Sequence, residues 1–180
     1  MPLQRIVVFG TTGSGKSTLA KRLGEHLSLP YFEMDALHWN PGWVPTPELE
    51  FRAKVEKATK GPRWVTEGNY SAIRDILLSQ ADTAIWLDYP FPLVFARLLR
   101  RTLSRVIDRK PVCNGNYETW RQMFSRNSIL LWAFKSHWRK KRHYPGLWAR
   151  SPRLTVLRFT SPGELEAWLW GLGARAAASR

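Results

Sequence analysis

Apolar residues follow two alternating rhythms along the chain. Short continuous runs, rich in β-branched and aromatic side chains, occupy about 4–10, 31–34, 63–66, 83–87 and 154–159. Runs of this kind read as strands of a parallel sheet covered on both faces. Between them apolar positions recur every three or four residues, as Leu19, Leu23 and Leu27 do, and predict helices. Those helices span about 16–27, 47–60, 71–80, 92–107 and 117–142, with a last one opening at 161–164. Proline and glycine punctuate the boundaries at Leu29-Pro30, Gly61-Pro62, Lys110-Pro111 and His143-Tyr-Pro-Gly146. Residues 35–46, with Pro41, Gly42 and Pro45, read as a loop, and Thr46 as the cap of a helix with Pro47 at its first position. The alternation of strands and helices predicts an α/β fold with a mainly parallel sheet, and 180 residues suit one domain, 1–180.

Composition narrows the picture. The single cysteine, Cys113, leaves no intramolecular disulfide, and no Cys/His cluster has metal-site spacing. There is no basic-then-apolar leader and no 18-residue apolar stretch, so neither a signal peptide nor a membrane span is expected, and a cytoplasmic location is. The formal net charge is +14 and unevenly placed. Residues 97–158 hold 16 Lys/Arg against Asp108 and Glu118, whereas the remainder has 12 of each sign. That segment suits either a polyanion such as nucleic acid or an arginine-rich lid closing over phosphates. Ten tryptophans argue first for packing; those interleaved with basic residues between Trp132 and Arg142 would also suit base stacking.

The sharpest chemical signal is Gly10-Thr11-Thr12-Gly13-Ser14-Gly15-Lys16-Ser17, which matches G-x-x-x-x-G-K-[ST] between a predicted strand and a predicted helix. Glycines let the backbone curl so that successive N–H groups converge on phosphate oxygens, and the helix start adds its positive end. The motif implies ATP and Mg²⁺, with Lys16 on the β- and γ-phosphates, Ser17 on the metal and Thr18 on the α-phosphate. Ligands of parallel sheets sit at the carboxyl ends of strands. That singles out Asp35, then Glu67-Gly68-Asn69-Tyr70, then Asp88. Ala84-Ile-Trp-Leu-Asp88 looks like a Walker B strand, yet Glu67 competes for the Mg²⁺ role, and the sequence does not rank them.

Together, Gly10–Ser17, Met34-Asp35-Ala-Leu-His38-Trp39-Asn-Pro41-Gly-Trp43, Trp64-Val-Thr-Glu67-Gly68-Asn69-Tyr70 and Trp86-Leu-Asp88-Tyr-Pro90 resemble the P-loop DNA topology modulation proteins, small relatives of adenylate and shikimate kinases. The likeness runs on through Arg97, Arg100, Arg101 and Arg105 into Gly115-Asn-Tyr-Glu118, and so covers the chain to about 145. One departure is Glu67, where the family pattern has Asp. The resemblance implies a P-loop NTPase of nucleoside-monophosphate-kinase type, with a five-stranded parallel sheet ordered 2-3-1-4-5 flanked by helices. It also implies a helical arginine-rich lid at about 97–145. Arg97, Arg101, Arg105 and Arg109, spaced by four, would share a helical face, with Arg121 and Arg126 behind them. Expected catalytic residues are Lys16, Asp35, Arg97 and Arg101. Asp35, Trp39, Glu67, Gly68, Asn69, Tyr70, Arg105 and Arg126 are expected to bind the acceptor, and Ser17 with Glu67 or Asp88 the metal. The implied activity is transfer of the γ-phosphoryl group of ATP to a small acceptor, a nucleoside monophosphate or related metabolite. A nucleic-acid-linked ATPase or a polynucleotide 5′-kinase is the alternative.

Overall fold

The computed structural model describes residues 3–125 and 128–178. Five strands form one parallel sheet: β1 (Arg5–Gly10), β2 (Tyr31–Glu33), β3 (Trp64–Glu67), β4 (Thr83–Leu87) and β5 (Thr155–Phe159). Their spatial order is 2-3-1-4-5, as the resemblance implied. Central β1 pairs with β3 from Arg5↔Trp64 to Val8↔Glu67, and with β4 from Ile6↔Thr83 to Gly10↔Leu87. The register carries the carboxyl ends of β1, β2 and β3 to one edge, where Glu33 and Glu67 lie side by side.

Six longer helices cover the sheet: α1 (Lys16–Leu27), α2 (Glu48–Thr59), α3 (Arg74–Gln80), α4 (Phe91–Ile107), α5 (Ile129–Ala149) and α6 (Pro162–Ala178). Successive β1 side chains point to opposite faces, so one strand feeds two cores. Ile6 and Val8 pack with Leu19 and Leu23 of α1 and Leu165 and Leu169 of α6. Val7 and Phe9 pack with Phe51 and Val55 of α2, Leu77 of α3 and Tyr144 of α5.

Several sequence expectations need correction. Thr46 does not cap α2: its hydroxyl donates to the Leu37 carbonyl at 3.1 Å, and Pro47 occupies the cap position. The expected loop 35–46 contains a helical turn, Met34–His38, and a two-residue ribbon pairing Trp39–Asn40 with Val44–Pro45. The helix expected over 117–142 is two. Thr119 and Gln122 form a capping box that opens the short helix Trp120–Met123, and Ser128 caps α5 separately. Helix α5 then continues through Pro145 to Ala149 instead of stopping at His143. A helix-interior proline costs about 3 kcal/mol. Burial of Tyr144, with Leu147 and Trp148 packed on the second core, offsets it.

Candidate active site

The segment after β1 is built as an anion cradle. Helix α1 starts at Lys16 with Gly15 at its cap, no side chain capping it and no acid in its first turn. Its first N–H groups and its positive end are therefore open to a ligand. At Gly10 a Cβ would press on the Ser14 hydroxyl and on Leu87; glycine is required at Gly13, whose φ is +89° and whose Cβ would lie 2.3 Å from the Val94 carbonyl. The loop thus packs directly on α4. Buried Ser14 Oγ, in the cavity lining, has no partner among the described residues, as expected of a group waiting for a phosphate oxygen.

A cavity of about 1540 Å³ opens over this loop. Ligand pockets commonly hold about 300–1,000 Å³, so the space suits more than one small ligand. The residues Thr12 to Thr18 line it, as do Asp35, Trp39, Asn69, Tyr70, Arg97, Arg101 and Arg105. Gly10, Thr11 and Gly68 support it from behind. The Gly10 carbonyl accepts from Asn69 Nδ2, the Thr11 carbonyl accepts from Ser14 N–H at 3.1 Å, and Gly68 N–H donates to Val8 at 3.3 Å. Arg126 lies outside the described residues.

The two carboxylates competing for the metal role are placed differently. Glu67 lines the cavity, is 1% exposed and has Oε2 4.0 Å from Lys16 Nζ, while its Oε1 has no partner among the described residues. Burial pushes its carboxyl up to about 7, with Asp35 and Glu33 adding to the rise and Lys16 opposing it. A buried carboxylate with a vacant oxygen beside the loop lysine and Ser17 fits a magnesium partner. Asp88 is engaged elsewhere. Its carboxylate accepts from Arg158 of β5 at 2.5 and 3.0 Å, lies 3.4 Å from Lys141 of α5 and is not part of the cavity lining. Neither partner is predictable from the strand that carries Asp88.

In the same cavity, Tyr70 Oη donates to Asp35 Oδ1 at 2.5 Å, fixing that carboxylate at the wall. The His38 ring lies 4.5 Å from Tyr70 and 4.8 Å from Phe51, and burial lowers its pKa. Trp39 and Trp43 meet edge to face at 5.7 Å. Helix α4 presents Arg97, Arg100, Arg101 and Arg105 to the cavity, but Arg109 falls beyond its end at a φ of +46° and leaves the expected stripe. Arg105 bonds Glu118 at 2.7 Å; buried Arg101 Nε and Glu118 Oε2 remain unpartnered. Glu118, Glu33 and Lys140 line the site without having been singled out in sequence. Each comes from a segment whose approach depends on tertiary packing. Cys113 also faces the cavity, but burial and the nearby acids push its thiol to about 11, which removes it as a nucleophile near neutral pH.

A clasp closes the far side. Asn116 Oδ1 accepts from Trp43 N–H at 2.7 Å while its Nδ2 donates to the Asn40 and Cys113 carbonyls. Asn114 Nδ2 donates to the carbonyls of Ala36 and Trp39. These bonds tie the Trp39–Pro45 ribbon to a second ribbon pairing Pro111–Val112 with Asn116–Tyr117.

No protein-family model matches the sequence. No curated protein matches it either. Among solved structures, the chain is similar to shikimate kinase from Acinetobacter baumannii in complex with shikimate. That match has 16% identity over 99% of this chain and 96% of that one, with a TM-score of 0.59. Shikimate kinase from Bacteroides thetaiotaomicron is similar at 12% identity over 97% and 98%, with a TM-score of 0.56. A gluconokinase from Sinorhizobium meliloti 1021 is similar at 18% identity over 89% and 85%, with a TM-score of 0.49. The two shikimate kinases share this chain's fold, a five-stranded parallel sheet flanked by helices. Among the described residues no helix is long and apolar enough to cross a membrane.

Proposed function

We propose that this protein is an ATP-dependent kinase that transfers the γ-phosphoryl group of ATP to a small acceptor, a nucleoside monophosphate or related metabolite. One observation carries the reading: a single cavity is lined by the uncapped phosphate loop, by the Asp35–Tyr70 pair and by arginines of α4. Phosphoryl transfer asks a protein mainly for positioning and for cations around a charge-dispersed transition state. The loop N–H groups and Lys16 hold the donor phosphates. Ser17 and Glu67 would hold the magnesium ion, which neutralises charge on the phosphate oxygens. Arg97 and Arg101 face the space where the transferring group would sit, and Arg105, held by Glu118, lines the acceptor side with Trp39. Asp35, oriented by Tyr70, accepts the proton of an acceptor hydroxyl; a phosphate acceptor needs no such base. Residues 97–145 act as the closing lid of a single domain. The resemblance to topology modulation proteins and adenylate kinases belongs to this proposal and agrees with the fold.

A second reading, a polynucleotide 5′-kinase, draws on exposed aromatics in the basic segment, Trp120, Phe124, Trp132 and Phe134 among them. The test is ADP release with ATP and Mg²⁺ across nucleoside monophosphates, nucleosides, small alcohols and 5′-hydroxyl oligonucleotides, with Lys16→Ala as control. We expect turnover with one class of small acceptor, reduced roughly a hundredfold or more in the variant. An unchanged rate in Lys16→Ala would sink the assignment, and turnover with oligonucleotides alone would select the second reading.

A further inference from the structure

Helix α5 carries a stripe that runs from the cavity rim, at half-exposed Trp132, to the core, at Tyr144. Trp132, Ser136, Lys140 and Tyr144 follow at intervals of four and share a face. At one end Tyr144 is buried in the second core and donates to Asn69 Oδ1 at 2.5 Å. Asn69 in turn donates to the Gly10 carbonyl at the start of the phosphate loop. At the other end Trp132 and Lys140 line the cavity. Lys140 therefore stands one turn from a residue that is fastened, through Asn69, to the loop itself.

The surroundings of Lys140 are short of negative charge. Its Nζ sits 5.9 Å from the centre of the Trp132 ring, and among the described residues it forms no ion pair, whereas neighbouring Lys141 reaches Asp88 at 3.4 Å. Lys16 approaches from α1, Arg74 from α3 and Arg139 from the same helix, with Asp35 the opposing carboxylate. Arg97, Arg101 and Arg105 of α4 face the same cavity, as do the carboxylates Glu33, Glu67 and Glu118. We propose that Lys140 is a second lysine of the polyphosphate site, engaging the nucleotide's phosphates from α5 while Lys16 engages them from the loop. The proposal rests on the kinase reading above.

The crowding leaves its mark on the ammonium. Burial, followed by repulsion from Lys16, Arg139 and Arg74, brings the Lys140 pKa down to about 7. An anion seated between the two lysines supplies the missing counter-charge and holds Lys140 protonated. Below pH 7 the group is already charged, so its contribution to binding is complete and flat. Above pH 7 a proton must be taken up on binding, and affinity falls by up to about tenfold per pH unit. A lysine that merely covers Trp132 would produce no such linkage.

Calorimetric titration with tripolyphosphate and with a non-hydrolysable ATP analogue, without magnesium, from pH 6 to 9, tests this. Wild type, Lys140→Met, Lys140→Arg and Lys16→Ala are compared, with thermal melting to verify folding. Lys140→Met is expected to bind about tenfold more weakly at pH 6. Lys140→Arg keeps a permanent charge, so it should bind like wild type at pH 6 and bind more tightly than wild type at pH 9. Glu67 titrates in the same range but is common to both proteins, so the difference in their pH profiles isolates Lys140. If Lys140→Met binds as wild type does while Lys16→Ala loses binding, Lys140 is not on the phosphates and the kinase reading stands. Matching pH profiles for wild type and Lys140→Arg would also overturn the proposal. If Lys16→Ala itself binds normally, the kinase reading falls first.

Discussion

At the scale of single residues, two neighbouring glycines of the loop separate folding from binding. Both have left-handed φ angles, +89° at Gly13 and +91° at Gly15, but their surroundings differ. A Cβ on Gly13 would collide with the α4 backbone at Val94, whereas one on Gly15 meets nothing within 4 Å and enters the cavity. Gly13→Ala should therefore lose about 2–5 kcal/mol of stability, about 1–2 from the left-handed backbone and about 1–3 from the clash. Gly15→Ala should lose only about 1–2 kcal/mol, the cost of the left-handed backbone, yet bind nucleotide poorly because the methyl group occupies phosphate space. Denaturant melts beside nucleotide titrations check the pair; equal stability losses would contradict this division. Glu67 gives a second residue-scale prediction. Its folded pKa of about 7 lies above the ordinary carboxylate value, so the native state keeps a proton that the unfolded chain releases. Stability of the metal-free protein should accordingly fall as pH rises from about 4.5 to 7, by up to roughly 3 kcal/mol. Glu67→Gln should remove that slope, as melts across this range would show.

Elements were legible in the sequence where a pattern is local. The five strands are short continuous apolar runs, and the phosphate loop announces itself because Gly10–Ser17 must satisfy its geometry within eight residues. What depends on partners from elsewhere was not legible. Asp88 has the sequence setting of a metal-binding acid, but Arg158 and Lys141 arrive from β5 and α5 to engage it. Pro145 has the look of a helix stop, but packing of Tyr144 and Trp148 overrides it. The Asn114–Asn116 clasp leaves no periodic trace at all, since its bonds span more than 70 residues. Its consequence belongs to the elements it joins. Asn116→Ala removes three hydrogen bonds, two of them to the Trp39–Pro45 ribbon, and loosens that ribbon on the 111–117 ribbon, which Asn114 and Trp43 still join to it. A loss of about 1–3 kcal/mol in stability follows. On the proposed reading, in which Trp39 beside the clasp binds the acceptor, KM for the acceptor should rise several-fold more than KM for ATP. Equal changes in both would show that the clasp serves folding alone.

Across the whole molecule, charge and shape divide the labour. The positive excess lies in residues 97–158, and the fold turns part of it, Arg97, Arg101, Arg105 and Lys140, into the wall of the cavity. Another part stays outside, on a surface that also exposes Trp132, Phe134 and Trp138. These two populations of cations should respond differently to salt. Exposed contacts to a long polyanion release counterions, so that affinity falls steeply with salt in proportion to the phosphates engaged. Cations within a cavity are partly shielded from mobile ions and lose less. With the small-acceptor reading, a 5′-hydroxyl oligonucleotide should bind at low ionic strength through the outer surface, go unphosphorylated, and dissociate near 0.15 M salt. A non-hydrolysable nucleotide should keep most of its affinity over the same interval. Fluorescence anisotropy of a labelled oligonucleotide, run with and without saturating nucleotide, measures both. Competition between the two ligands at physiological salt, joined with phosphorylation of the oligonucleotide end, would mean that the polyanion enters the cavity and that the outer surface is part of the acceptor site.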